Sequence, residues 1–181
     1  MDSDQLKDLL KELITINTTN YHVLSADELD TLQIQRYPIC LIVNNQEKTE
    51  PGQHWLGIFI GRSNGPLEFF CSYGLGITFY GKHFTNFVQR LGICVLETQK
   101  RLQSITSNVC GLYAIYFLCK RMNKCSYYSI YRKFSDKFVK NDTIVKRMFR
   151  RTRKNKFYKK SDLLQSCCTF EQNKITFKFY M

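Results

Sequence analysis

Residues 109–119, VCGLYAIYFLC, carry no charged or amide side chain, and this run constrains the fold more than any other feature of the chain. A helix that is apolar on every side must lie at the centre of a domain rather than on its surface. The run is too short to span a bilayer, and it ends in Lys120-Arg121. Before it comes a polar knot, Gln103-Ser104-Ile105-Thr106-Ser107-Asn108. Cys110 therefore stands at a seam between a polar loop and a buried helix, whereas an ordinary core cysteine would sit inside the run, as Cys119 does.

Other elements must surround that helix. Leu6, Leu9, Leu10 and Leu13 follow helical spacing, with Ser3 or Asp2 available as a cap. The segment 17–37 is mostly polar and reads as loop. Ile39 to Val43, His54 to Ile60 and Leu67 to Ser72 read as strands, the second and third separated by the turn GRSNGP. Phe84, Phe87, Val88 and Leu91 predict a helix stopped by Gly92, with Ile93 to Glu97 as a fourth strand. Ile144, Val145, Met148 and Phe149 predict a later helix capped by Asn141, with Asp142 in its first turn. The closing KITFKFY alternates as a strand does. The class is α+β: a mostly antiparallel central sheet packed around a buried helix that starts at Cys110.

With 181 residues and no linker, repeat or composition break, a single domain, 1–181, is expected. The eight cysteines contain no Cys-x-x-Cys pair and the three histidines are scattered, so no metal site is expected. The acidic opening Met-Asp-Ser-Asp is unlike a signal peptide. The expectation is a protein that is intracellular and not secreted, with no membrane partner and with reduced thiols. Charge is distributed unevenly. Residues 1–50 hold four Lys/Arg against nine Asp/Glu, and residues 132–160 hold thirteen against two. So dense a basic portion fits DNA or another polyanion, through Lys146, Arg147, Arg150, Arg151, Arg153, Lys154, Lys156, Lys159 and Lys160. The competing reading is a solvated helix face. Phe149, Phe157 and Tyr158 among these cations either stack on bases or anchor the segment to the body.

The seam suggests chemistry. A cysteine at a helix start has unpaired N–H groups and the helix dipole beside it, which favour its thiolate, as does a nearby imidazolium. His54, where a polar turn meets an apolar strand, is a candidate base, although a lone histidine there is more often structural. The Cys110 N–H and the Gln103 side chain are candidate oxyanion donors. Gly111 leaves room for a substrate backbone.

The blocks PGQHWLGIFI, LEFFCSYGL and LQSITSNVCGLYAIYFL, preceded by YPICLIVNN, resemble those of adenovirus-type (adenain-like) cysteine proteases. The likeness is greatest to the versions carried by Maverick/Polinton elements and related viruses, and it covers a motif core of about 37–122. It implies a papain-like, adenain-type fold, within the same broad group as proteases of ubiquitin-like proteins. It also implies His54 as base, Cys110 as nucleophile and Gln103 in the oxyanion hole, with Trp55 over the substrate channel unless that residue is simply a core anchor. Cys94 falls near a family cysteine associated with a peptide cofactor, though its apolar neighbours favour a buried strand cysteine.

One block departs from the pattern. Where the family carries Glu or Asp, this chain has Cys71, which cannot orient an imidazole as a carboxylate does. Glu68 and Ser72 have the wrong strand parity to replace it. Three readings follow: a working Cys–His dyad, a site where Cys71 and Cys110 form a disulfide or trap a metal with His54, or lost catalysis. The resemblance implies a maturation endopeptidase cleaving proteins of a virus or virus-like element, at small residues such as glycine, in a virion or the host nucleus or cytoplasm. No cofactor is required by the sequence, while the resemblance admits DNA and an activating peptide. The alternatives are an isopeptidase acting on ubiquitin-like proteins and an impaired protease scaffold that binds nucleic acid.

Overall fold

The computed structural model describes residues 2–13 and 20–154. Five strands form one sheet in sequence order: β1 (Asn20–Leu24), β2 (Ile39–Asn44), β3 (Trp55–Ile60), β4 (Leu67–Phe70) and β5 (Val95–Leu96). The pairs β2–β3 and β3–β4 are antiparallel, whereas β1 joins β2 and β5 joins β4 in parallel. The sheet is therefore mixed rather than mostly antiparallel. Connections of ten residues or fewer link the three central strands; the outer two arrive through longer connections that return the chain in the same direction.

The sheet lies between two layers. On one face pack α1 (Ser3–Leu13), α3 (Cys110–Met122), α4 (Tyr127–Tyr131) and α5 (Phe138–Lys154). On the other lie α2 (Lys82–Leu91) and 3-10 turns at Asp27–Asp30 and Ile77–Tyr80. Because β3 alternates, Trp55 and Phe59 face the α3 layer while Leu56, Ile58 and Ile60 face the α2 layer. With both faces covered, β2, β3 and β4 are buried throughout and read as largely apolar runs, interrupted only by Asn44 and the ion-paired Glu68.

The central helix begins at Cys110, as its composition predicts, and Tyr113, Ala114, Ile115, Phe117 and Leu118 are wholly buried. It lies close on β3 because Gly57 has no side chain. A Cβ there would stand 3.1 Å from the Phe117 ring and 3.6 Å from the Ala114 carbonyl. Beneath the far end of α3, Arg121 forms a two-point ion pair with Glu68, one arm at 2.7 Å and the other through Nε. Glu68 thus faces the helix, as strand parity requires. Tyr127 locks α4 to the sheet by donating to the Phe69 carbonyl at 2.9 Å.

The ends of several elements differ from expectation. Asp2 Oδ1 accepts the Gln5 N–H at 2.8 Å and Gln5 Oε1 accepts the Asp2 N–H at 3.3 Å, a reciprocal cap for α1. Gly92 ends α2 in the left-handed conformation, at φ 61°. The segment read as loop contains β1, whose half-buried residues NYHVL lack the apolar run that marks the inner strands. The last helix starts at Phe138, about one turn before Asn141. Asn141 is not its cap: it is fully buried, accepts the Ser135 N–H at 3.0 Å and donates to the carbonyls of Ser135 and Leu102. Asp142 accepts the Tyr113 hydroxyl at 3.0 Å. The KITFKFY segment lies outside the described residues. Among those described, no helix is long and apolar enough to cross a membrane.

Candidate active site

His54 closes the turn between β2 and β3. Its N–H donates to Asn45 Oδ1 at 2.7 Å, and its carbonyl accepts the Asn45 N–H at 3.0 Å, so the backbone is pinned from both sides. The ring is buried, at 5% exposure, and the Tyr73 ring stacks on it with centroids 4.6 Å apart and planes 26° apart. Tyr80 lies near-parallel at 6.1 Å. Burial makes a charged imidazole costly and holds its pKa down at about 4. The ring is therefore neutral at pH 7, in contrast to the imidazolium that the sequence suggested. Its Nδ1 is the one buried side-chain N or O atom without a hydrogen-bond partner among the described residues. An orphan of this kind is uncommon and calls for a functional explanation.

The other ring nitrogen, Nε2, lies 3.5 Å from Cys71 Sγ, and Tyr80 Oη lies 2.9 Å from the same sulfur. Cys71 thus lies against the Nε2 side of the His54 ring. Backbone N–H groups of Leu75, Tyr73 and Gly74 also favour negative charge there, but burial outweighs them and pushes the thiol up. The sulfur sits in a ring of donors suited to a carboxylate. Two proton arrangements satisfy the chain. With the Cys71 S–H on Tyr80 and Nε2–H on sulfur, Nδ1 keeps a lone pair and can accept a proton. With the Tyr80 O–H on sulfur and the S–H on Nε2, Nδ1 carries hydrogen and cannot.

Cys110 is half-buried at the first residue of α3 and packs against the core. Charge on its sulfur is felt by both Tyr73 and Tyr80, the two rings beside His54. No hydrogen bond joins it to Nδ1 in this resting geometry. All six described cysteines are free, Cys71 and Cys110 included, and no three His, Cys, Asp or Glu side chains among the described residues converge to hold a metal.

Gln103 is fully buried, and its amide is committed. Its Oε1 accepts the Ser72 hydroxyl at 2.7 Å, and its Nε2 donates to the Ser107 carbonyl at 2.6 Å and toward Tyr73 Oη at 3.4 Å. The Ser72 carbonyl accepts the N–H of Leu102 at 2.8 Å and of Gln103 at 3.0 Å. The turn at 71–74 and the strand-like segment at 99–103 are thereby tied together. Gly74, at φ 73°, allows it: a Cβ there would lie 2.7 Å from the Arg101 nitrogen.

Trp55 is 9% exposed and packs in the helical-layer core, while also lining a cavity of about 720 Å³ between the start of α1 and the β2–β3 turn. Gly111 is buried in the first turn of α3. Cys94 is half-buried just before β5 and lines an apolar cavity of about 760 Å³ with Ile77, Val88 and Ile93.

The basic residues are only partly in view. Lys146 and Arg147 are exposed on α5, whose backbone continues through Arg150, Arg151 and Arg153 to Lys154. Lys156, Lys159 and Lys160 lie outside the described residues, as do Phe157 and Tyr158. Phe149 is buried in the core and anchors α5, so it does not offer a face to a base.

Sequence reasoning found His54, Cys71, Gln103 and Cys110 but missed Tyr73 and Tyr80, because aromatic residues two and nine positions after Cys71 form no spacing pattern of their own. Compared with known proteins, the chain matches no family model and no curated protein.

Proposed function

We propose that the protein is a cysteine endopeptidase working through Cys110 and His54. The observation that carries this reading is the buried, unpartnered Nδ1 of His54, whose stacked neighbour Tyr73 also lies in the field of Cys110 at the start of α3. In this mechanism Nδ1 takes the Cys110 proton as sulfur attacks the substrate carbonyl carbon, and the carbonyl electron pair moves to oxygen. Collapse of the adduct expels the amine, which receives that proton from His54. Water then hydrolyses the thioester. Cys71 and Tyr80 position the imidazole, and Gln103 braces the oxyanion side.

The resemblance of the motif core to adenain-like proteases supports proteins of a virus or virus-like element as substrates, cut beside glycine. Exposed Lys146 and Arg147 on α5 support a polyanion such as DNA as a partner that holds the enzyme near its substrates.

The test is cleavage of a panel of glycine-containing peptides and of a ubiquitin-like conjugate by the wild-type protein, Cys110→Ser and His54→Ala. The expected result is cleavage of the peptides by the wild type alone. Turnover retained by Cys110→Ser would remove the nucleophile assignment, and a strong preference for the conjugate would favour an isopeptidase.

A further inference from the structure

We infer that the side-chain donor to the oxyanion is the Tyr73 hydroxyl, with Gln103 acting behind it as its brace. The inference rests on the cysteine protease reading above and concerns a residue which that reading leaves without a role.

An oxyanion donor must have a hydrogen to give and must reach the substrate. Gln103 fails on both counts. It has no exposed surface, one amide hydrogen is held by the Ser107 carbonyl at 2.6 Å, and the other points to Tyr73 Oη at 3.4 Å. Its orientation is settled by Ser72, which donates to Oε1 at 2.7 Å.

Tyr73 meets both conditions. Its hydroxyl oxygen accepts from Gln103, so its own hydrogen is directed elsewhere, and no atom among the described residues accepts it. The side chain is only half-buried. Its ring is fixed against His54 by stacking at 4.6 Å, which ties its position to that of the base. Tyr73 also senses charge on Cys110, behind burial as the leading influence on its phenol. A group that touches the base through its face, the buried amide through its oxygen and the nucleophile through its field stands beside the place a reacting carbonyl would take. Polarisation by Gln103 makes the phenolic hydrogen a better donor. As sulfur attacks and the carbonyl pair moves to oxygen, the Tyr73 O–H and the Cys110 N–H hold that charge. The phenol gives a hydrogen bond and keeps its proton, and the pair returns when the leaving group departs.

Two reactions of Cys110 separate this role from a structural one. Acyl transfer from the p-nitrophenyl ester of N-acetylglycine passes through an oxyanion, whereas alkylation by iodoacetamide does not. Tyr73→Phe keeps the stacked ring and removes only the hydroxyl. It is expected to slow acyl transfer by about 10²–10³-fold and to leave the Cys110 alkylation rate, read by site-resolved mass spectrometry, within about twofold of wild type. Equal losses in both reactions would mean that Tyr73 acts by positioning His54 or Cys110, and would overturn the assignment. No loss in either would overturn it while leaving the protease reading intact. No acyl transfer by wild type, with Cys110 alkylating normally, would end the protease reading and this role together. If Tyr73→Phe fails to fold, 3-fluorotyrosine at position 73 takes its place. A more acidic phenol is expected to change the acyl-transfer rate and leave alkylation alone, and an unchanged rate would overturn the proposal.

Discussion

His54 and Cys71 meet at 3.5 Å through Nε2, and this contact decides which nitrogen of the ring carries the proton. A thiol can either give a hydrogen to Nε2 or take one from it. A carboxylate can only take one. The residue at position 71 therefore controls whether Nδ1 is available as a base.

Cys71→Asp is expected to raise activity. The carboxylate would accept from Nε2, Tyr80 and the backbone donors already gathered around Sγ. It would leave Nδ1 with a lone pair in every molecule. Since losing the orienting acid costs a serine triad on the order of 10⁴, a gain of about tenfold or more in kcat/KM is in scope. Nitrogen-15 NMR of His54 would report the tautomer directly. An unchanged rate with a correctly folded variant would count against the proposed geometry.

His54 also predicts how the fold responds to acid. Its folded pKa of about 4 lies below the ordinary 6.5, so the unfolded chain binds the proton first. Stability is undiminished above about 6.5, falls as pH drops toward 4, and has lost about 3 kcal/mol from this group below that. Chemical denaturation of wild type and His54→Phe across pH 4–8 would show it. The variant should have a flatter acid limb, and parallel curves would refute the buried-neutral assignment.

His83 works in the opposite direction. Its ring bridges Glu47 on the β2–β3 turn, at 2.9 Å, and Asp30, at 2.6 Å. Glu47 first, with Asp30 after it, raises the pKa above 6.5 against burial and Lys82. The contribution of this clamp is complete below about 6.5 and is lost as pH rises through the raised value. Since the clamped turn leads into His54, amide protection factors in residues 45–53, taken against the base-catalysed intrinsic rate at each pH, should fall on the alkaline side in wild type. In His83→Leu, protection there should be low at every pH; a wild-type profile in that variant would contradict the clamp.

The Glu68–Arg121 pair gives a stability test. Arg121→Met leaves a buried carboxylate and should cost about 3 kcal/mol or more, as breaking a buried pair does. Adding Glu68→Met removes the stranded charge and should recover much of that loss. A double variant no better than the single one would mean that Arg121 acts through its contacts with Phe59 and the Cys125 carbonyl instead.

The inner strands and the start of α3 were legible because burial on both sheet faces, or all around a helix, leaves nearly unbroken apolar text, and α2 because its buried face repeats at helical spacing. β1 was not, since an outer, half-buried strand shares its composition with loops. Asn141 was misread because a polar residue ahead of an apolar period resembles a cap, and only tertiary contacts with Leu102 and Ser135 reveal a buried brace. At the candidate site, residue types and spacing pointed to His54, Gln103 and Cys110, and the resemblance added Cys71. The commitment of the Gln103 amide, and the two tyrosines that frame His54, depend on long-range packing that no local pattern encodes.

The Ser72 carbonyl that receives both Leu102 and Gln103 has a consequence for how the molecule opens. One loop supplies the acceptor and the other, distant in sequence, supplies both amides, so neither can swing away without breaking both hydrogen bonds. The Leu102 carbonyl is in turn held by Tyr113 and Asn141, which extends the lock into α3 and α5. Both loops are thereby tied to the buried centre of the molecule, and on the proposed reading a substrate meets a preformed wall on the Gln103 side.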